Sequence, residues 1–420
     1  MLLSYLDRRT QPGRAMRGDG PFAIGLAIAL SSAVPCGITR AAEIYVQPRA
    51  EVRAEADTNR NFVTSGSKST SEGFAADVGA TWGIVTPLSE TKLSPQIGYV
   101  DYPKDHESSL QGSLDLVSGY HSQRSDFSVS GKFDRSDTYN SELVSALFNP
   151  LIPVSPTTPE TGRITTNTAR TLGNIAPSYS YRLSPRVRVG TSGFYESTTY
   201  SGDFSSQYDS YDYYVGRVFV GWAVTPRMEV SVGPFASRDA AKTGGTTADG
   251  AGADVDVVYK WSPTFTGKLA LTEGRDTIKS AQLTPQKSRQ NDFGATYTTH
   301  WAGQISDLQL SAGRTFTPSG AGGKYQADQF QIEYDRKLSA RFSSVYAARY
   351  IRSRALVSQL QSGDYKYLET VAGFKWLAAR TWYVSGGLQY QWLKYGSVNG
   401  SAGNGMAYVG FGYEGLGKRP

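Results

Sequence analysis

The residues best suited to chemistry are few in this chain of 420: three histidines and one cysteine. A serine hydrolase needs its histidine base within hydrogen-bond reach of the nucleophile. His121 adjoins Ser122, but both fall in an expected turn, and neighbouring side chains on an extended chain diverge. His106 follows Asp105 in a polar stretch, a pair that only loosely suggests an acid-histidine protease, and His300 shares its side of an expected strand with Asp292 and Thr298. No two histidines stand at ligand spacing, so no catalytic residue, metal site or cofactor is expected. What remains is charge chemistry: Arg182, Arg186, Arg188, Arg217, Lys260, Lys268 and Arg349 against Asp254, Asp256, Asp292, Glu333 and Asp335. These groups act together only if one surface gathers them.

The pattern around them is that surface. From Phe74 onward apolar or aromatic residues alternate with small or polar ones, as a strand with two unlike faces requires. Phe74, Ala76, Val78, Ala80, Trp82 and Ile84 alternate with Ala75, Asp77, Gly79, Thr81 and Gly83, and the pattern returns around Tyr259, Tyr297 and Tyr334. Each charge named above falls on the polar side of such a strand or beside its end.

Connections alternate between two kinds. Short turns recur as Leu183 to Arg186, Val224 to Arg227, Trp261 to Thr264, Leu338 to Arg341 and Leu377 to Arg380. Longer polar stretches separate them: 201–210, 239–250, 282–291, 318–324, 359–364 and 397–404. That asymmetry is the organisation of a transmembrane antiparallel up-and-down β-barrel with short periplasmic turns and long extracellular loops. Trp222, Trp261, Trp301, Trp376 and Trp382 flank the short turns, and Tyr195, Tyr200, Tyr350 and Tyr395 approach the long loops, giving two candidate aromatic girdles. The count is about 18 strands, with 16 as the alternative. Pro150, Pro153, Pro156 and Pro159 exclude a central strand and mark the longest extracellular loop, near 140–167. Pro95 and Pro177 are expected inside or at the start of strands, marking strand entry or bulges.

Composition agrees. Hydrophobic residues are 39% and mean hydropathy is −0.38, which excludes a bundle of apolar membrane helices. Gly 45 and Tyr 27 suit closely packed strands with aromatic belts. Residues 1–41 read as a cleaved signal peptide: an apolar run from Phe22 to Val34 follows Arg14 and Arg17, and Thr39-Arg40-Ala41 offers a cleavage site after Ala41. Met16 is an alternative start, and Cys36 leaves with the signal. Residues 42–420 then form one barrel domain of an outer membrane. Cleavage removes Arg8, Arg9, Arg14, Arg17 and Arg40 with Asp7 and Asp19, so the net charge of +6 falls to +3 and no nucleic-acid partner is implied.

With the aromatic side facing lipid, the charged side faces the lumen. Lys132 and Arg341 add to the basic set, and Asp77, Asp115, Asp134 and Glu229 to the acidic set. The signs balance, so weak ion selectivity, or a lumen closed by ion pairs and an inward-folded loop, is expected. Phe194, Phe219 and Phe235 are the inward aromatics. Arginines at the short turns (Arg186, Arg227, Arg341 and Arg380) suit either lipid phosphate at the inner headgroup level or plain solvation of the turn.

The start of the mature chain, Gln47 to Asn61, followed by hairpins such as Tyr181 to Arg186, resembles outer-membrane β-barrel proteins of bacterial exopolysaccharide and exosortase-type export loci. The resemblance implies a role in passing or supporting export of a surface polysaccharide, with no catalytic residue to carry over. The partners it adds to outer-membrane lipid, lipopolysaccharide and the barrel-insertion machinery are polysaccharide and periplasmic export components. Val409, Phe411 and Tyr413 form a final lipid-facing strand, yet Glu414 to Pro420 follows where an insertion signal typically ends on an aromatic. A general diffusion porin and a non-conducting structural or adhesive barrel are the alternatives.

Overall fold

The computed structural model describes residues 42–64, 70–138, 168–202, 205–242, 246–279, 288–318, 320, 324–356, 364–396 and 400–416. The chain divides into two units, Met1–Ala42 and Glu43–Pro420. The expected signal peptide and the expected loop near 140–167, but for Thr138 and Thr168 at its margins, lie outside the described residues.

Alternation produces strands wherever it was expected. In chain order they are β1 (Glu43–Asp57), β2 (Ser71–Val85), β3 (Ser89–Tyr102), β4 (Glu107–His121), β5 (Ser125–Asp137), β6 (Ala169–Arg182), β7 (Val187–Ser201), β8 (Tyr211–Thr225) and β9 (Met228–Ala241). There follow β10 (Thr247–Ser262), β11 (Phe265–Lys279), β12 (Ser288–Ala302), β13 (Ser306–Pro318), β14 (Lys324–Lys337), β15 (Phe342–Ala355), β16 (Tyr365–Leu377), β17 (Trp382–Tyr395) and β18 (Ala402–Glu414). Every strand pairs antiparallel with its sequence neighbours, and β1 also pairs with β18, closing one 18-stranded barrel. Closure leaves no sheet edge to satisfy.

Directly paired residues share a face, so register fixes which side chains point in. Val46 opposite Trp82, Ile97 opposite Val78 and Trp382 opposite Tyr413 mark the outer face, where Val78 and Ile97 are each 62% exposed. A single barrel wall has no second layer to bury these residues, and an apolar outer band is what lipid contact requires. Trp82, Trp222, Trp261, Trp301, Trp376 and Trp382 are all exposed near the short turns, forming the expected girdle. Trp261 stacks on Phe265 and lies over Gly267, where a Cβ would come within 2.5 Å of the indole.

The second girdle is only partly as expected. Tyr195 and Tyr350 face out, but Tyr200 and Tyr395 face in: Tyr200 pairs with inward Arg170 and stacks on Tyr208, and Tyr395 packs on an inner cluster of Ile351, Tyr365, Tyr367 and Leu393. Sequence position had placed them near the loops, while strand parity decides which way they point. Pro95 and Pro177 lie inside strands, one of the expected placements, but mark no bulge. Each sits inside a strand whose register continues unchanged past it, and the register shifts fall instead between Ala223 and Thr225 and between Lys260 and Ser262.

Candidate functional site

The inner wall gathers the charged residues. Arg182, Arg188, Arg217, Asp254, Asp256, Lys260, Lys268, Asp292, Glu333, Asp335 and Arg349 all occupy inward register positions. Arg186 does not: it is an exposed residue of the turn between β6 and β7, because β6 ends at Arg182.

Four of them form one network. The Arg217 guanidinium on β8 meets Asp254 at 2.6 Å and Asp256 at 2.9 Å on β10, and Lys268 on β11 reaches Asp256 at 3.4 Å. Arg217 crosses β9, where it contacts the Ser231 hydroxyl at 3.5 Å. Arg188 on β7 similarly pairs with Glu229 on β9, over Gly221 of β8. A Cβ at Gly221 would stand 2.9 Å from Arg188 Cγ and 3.2 Å from Glu229 Oε1.

The same device recurs where the barrel closes. Tyr383 and Ser385 of β17 donate to Glu51 of β1 at 3.0 and 2.7 Å across Gly410 and Gly412 of β18. Tyr102 of β3 donates to Glu55 and Asp57 of β1 at 2.7 and 3.0 Å over Gly73 of β2, and Arg49 reaches Gln96 over Gly79. Glycine is needed at these positions because the bond between next-nearest strands occupies the space of the side chain between them. Charged partners make such bonds stronger than neutral ones.

The remaining expected residues separate. Arg182 meets Asp126 at 3.5 Å near the short turns, beside His121, which is 3.0 Å from the same carboxyl group. Asp292 shares the Lys324 ammonium with Asp276, at 3.0 Å from Asp292. Arg349 stands opposite Glu369, whose carboxylate accepts from Gln389. Glu333 and Asp335 lie on β14 with Asp307 directly opposite Asp335, and among the described residues neither has a cation within ion-pair distance. Lys260 is an exposed inward position next to the shift at Ser262. His300 takes Asp307, at 2.8 Å, rather than Asp292 as its acidic neighbour.

Two features of the wall were missed. Its further inward charges are mostly acidic: Glu51, Glu55, Asp57, Glu107, Asp276, Asp307, Glu369 and Glu414 against Arg49, Arg53, Arg170 and Lys375. The expected balance of signs therefore gives way to an acidic surplus. Inward aromatics also go well beyond the three phenylalanines: Tyr102, Tyr211, Tyr213, Tyr365, Tyr367, Tyr383 and Tyr408 join Phe194, Phe219 and Phe235. Strand parity in Tyr-Lys-Tyr (365–367) and Tyr-Asp-Tyr (211–213) carried that signal.

No protein-family model and no curated protein matches the sequence. Among solved structures the chain is similar to OccK5 (OpdH) of Pseudomonas aeruginosa, with TM-score 0.44 and 10% identity over 89% of this chain and 99% of that one. It is similar also to OccAB4 of Acinetobacter baumannii, with TM-score 0.39 and 8% identity over 89% and 98%. A third likeness is the FrpB iron transporter of Neisseria meningitidis, F5-1 variant, with TM-score 0.40 and 8% identity over 87% and 82%. The class of protein follows from this chain's own strands: a transmembrane β-barrel with an apolar exterior and a charged interior.

Proposed function

We propose that this protein is an outer-membrane barrel that acts as a channel for polar solutes and, more specifically, serves exopolysaccharide secretion. The observation that carries the channel reading is the closed 18-stranded wall with charged residues inside and apolar residues outside. A wall of that kind has no use for interior charge unless water reaches it. The polysaccharide reading is supported by the resemblance carried by Gln47 to Asn61. A general diffusion porin is the second reading, favoured by the dense ion pairing around Arg217.

Single-channel conductance of the refolded protein in planar bilayers tests both. Conductance blocked by exopolysaccharide fragments and indifferent to simple sugars is the expected result. Conductance indifferent to both favours the porin. No conductance, with the 139–167 segment intact or deleted, removes both channel readings and leaves a structural or adhesive barrel.

A further inference from the structure

The outer face of β13 to β17 carries two consecutive cross-strand rows of opposite character. One row is apolar: Ala312, Phe330, Tyr350, Leu368 and Trp392 follow one another in direct register. Two residues nearer the long loops, the next outward row reads Arg314, Asp328, Arg352, Lys366 and Lys394, again in direct register. Asp328 is taken by Arg314, with guanidinium contacts of 2.6 and 3.2 Å. Arg352, Lys366 and Lys394 are then three neighbouring cations on three adjacent strands, with Arg354 exposed beside them. Among the described residues none of these four has a carboxylate within ion-pair distance, in contrast with the paired cations of the inner wall.

Like charges directly opposite one another destabilise a sheet. Their standing side by side, above a row ending in an interfacial tryptophan, calls for an anion supplied from outside the chain. The apolar row sets the depth: Tyr350 and Trp392 sit where aromatic belts meet headgroups, so the cations stand at headgroup level on the long-loop side. An arginine fork matches phosphate bidentately, and the two lysines add point charge.

We propose that Arg352, Lys366 and Lys394 form a docking site for the phosphate groups of an outer-leaflet lipid. The proposal rests on the outer-membrane reading given under Proposed function, with the long loops at the cell exterior as the alternation of short turns and long loops predicts. It names a site on the outside of the wall, separate from the lumen.

The test uses the full mature protein in detergent, with bisphosphorylated lipid A as probe, dephosphorylated lipid A as control, and native mass spectrometry as readout. Folding is checked for each variant by heat-modifiable gel mobility, and insertion by protease protection in phospholipid vesicles. The wild type should retain bisphosphorylated lipid A at least tenfold better than the dephosphorylated form. The R352Q/K366Q/K394Q variant should lose that preference, and the charge-keeping K366R/K394R variant should keep it. Equal retention of both lipids by the wild type, or an unchanged preference in the folded triple variant, overturns the site while leaving the channel reading intact. A barrel that folds in detergent but does not enter vesicles overturns both. Should the triple variant not fold, single R352Q and K394Q variants carry the same comparison.

Discussion

Arg188 and Glu229 form an ion pair although a whole strand lies between them, because residue 221 of that strand is glycine. The pair ties β7 to β9 directly and adds to the hydrogen bonds that each strand makes with β8. Substituting Gly221 by leucine should break it by filling its path. Overpacking of this kind costs about 1–3 kcal/mol, and urea unfolding followed by tryptophan fluorescence should show that loss, while alanine gives a smaller one. No change in the leucine variant would mean that the pair contributes nothing to the wall.

The acidic surplus of the inner wall predicts cation preference. In a potassium chloride gradient the reversal potential should have the sign of a cation-selective pore. Converting Asp307, Glu333 and Asp335 to their amides should move it toward zero. An anion-selective potential in the wild type would contradict the assignment of these carboxylates to the conducting surface.

Among the described residues Arg217 is the one cation contacting both Asp254 and Asp256. Arg217→Met keeps much of the side chain's bulk and removes its charge, leaving two carboxylates with only Lys268 nearby. Loss of one partner of a half-buried charged network should cost about 1–3 kcal/mol, with a shift of reversal potential toward stronger cation preference. A variant with unaltered stability and unaltered selectivity would show the network to be idle.

Placement of lipid against the outer face is tested by paired arginine scans. Val78→Arg, near the middle of β2, should cost about 2–4 kcal/mol in a vesicle folding titration. Ser130→Arg, an exposed inward position paired with Val117, should cost far less. Equal costs at the two positions would mean that the faces have been exchanged.

Strand number and facing were legible because alternation is a local property: Phe74 to Ile84 states its two faces without reference to any partner. The first strand was the weak point. Glu51-Val52-Arg53-Ala54-Glu55-Ala56-Asp57 alternates charge with small apolar residues and lacks the aromatics that marked other strands, so Glu51, Glu55 and Asp57 were not counted toward the wall and its acidity was underestimated. Closeness to a loop, which puts Tyr200 and Tyr395 in the outer girdle, is a criterion blind to parity. Bonds such as Tyr383 to Glu51 could not be read at all, since they depend on the register of three strands at once, two of them at opposite ends of the chain. The same holds for the row of Arg352, Lys366 and Lys394, which is invisible until the hydrogen-bonded ladder aligns residues 14 and 28 positions apart.

The pairing of β1 with β18 also constrains how the protein comes into being. Arg49 lies opposite Glu414, and Gln47 donates to Glu414 at 2.8 Å across 367 residues of chain. The amino-terminal strand must therefore wait, with one side unpaired, until the carboxyl-terminal strand has been synthesised and delivered. Contacts of such separation are slow to form, and an unpaired strand edge is a template for association with other chains. The opening strand thus keeps an open edge through nearly the whole of assembly, and the last thirteen residues of sheet act as the latch that closes it.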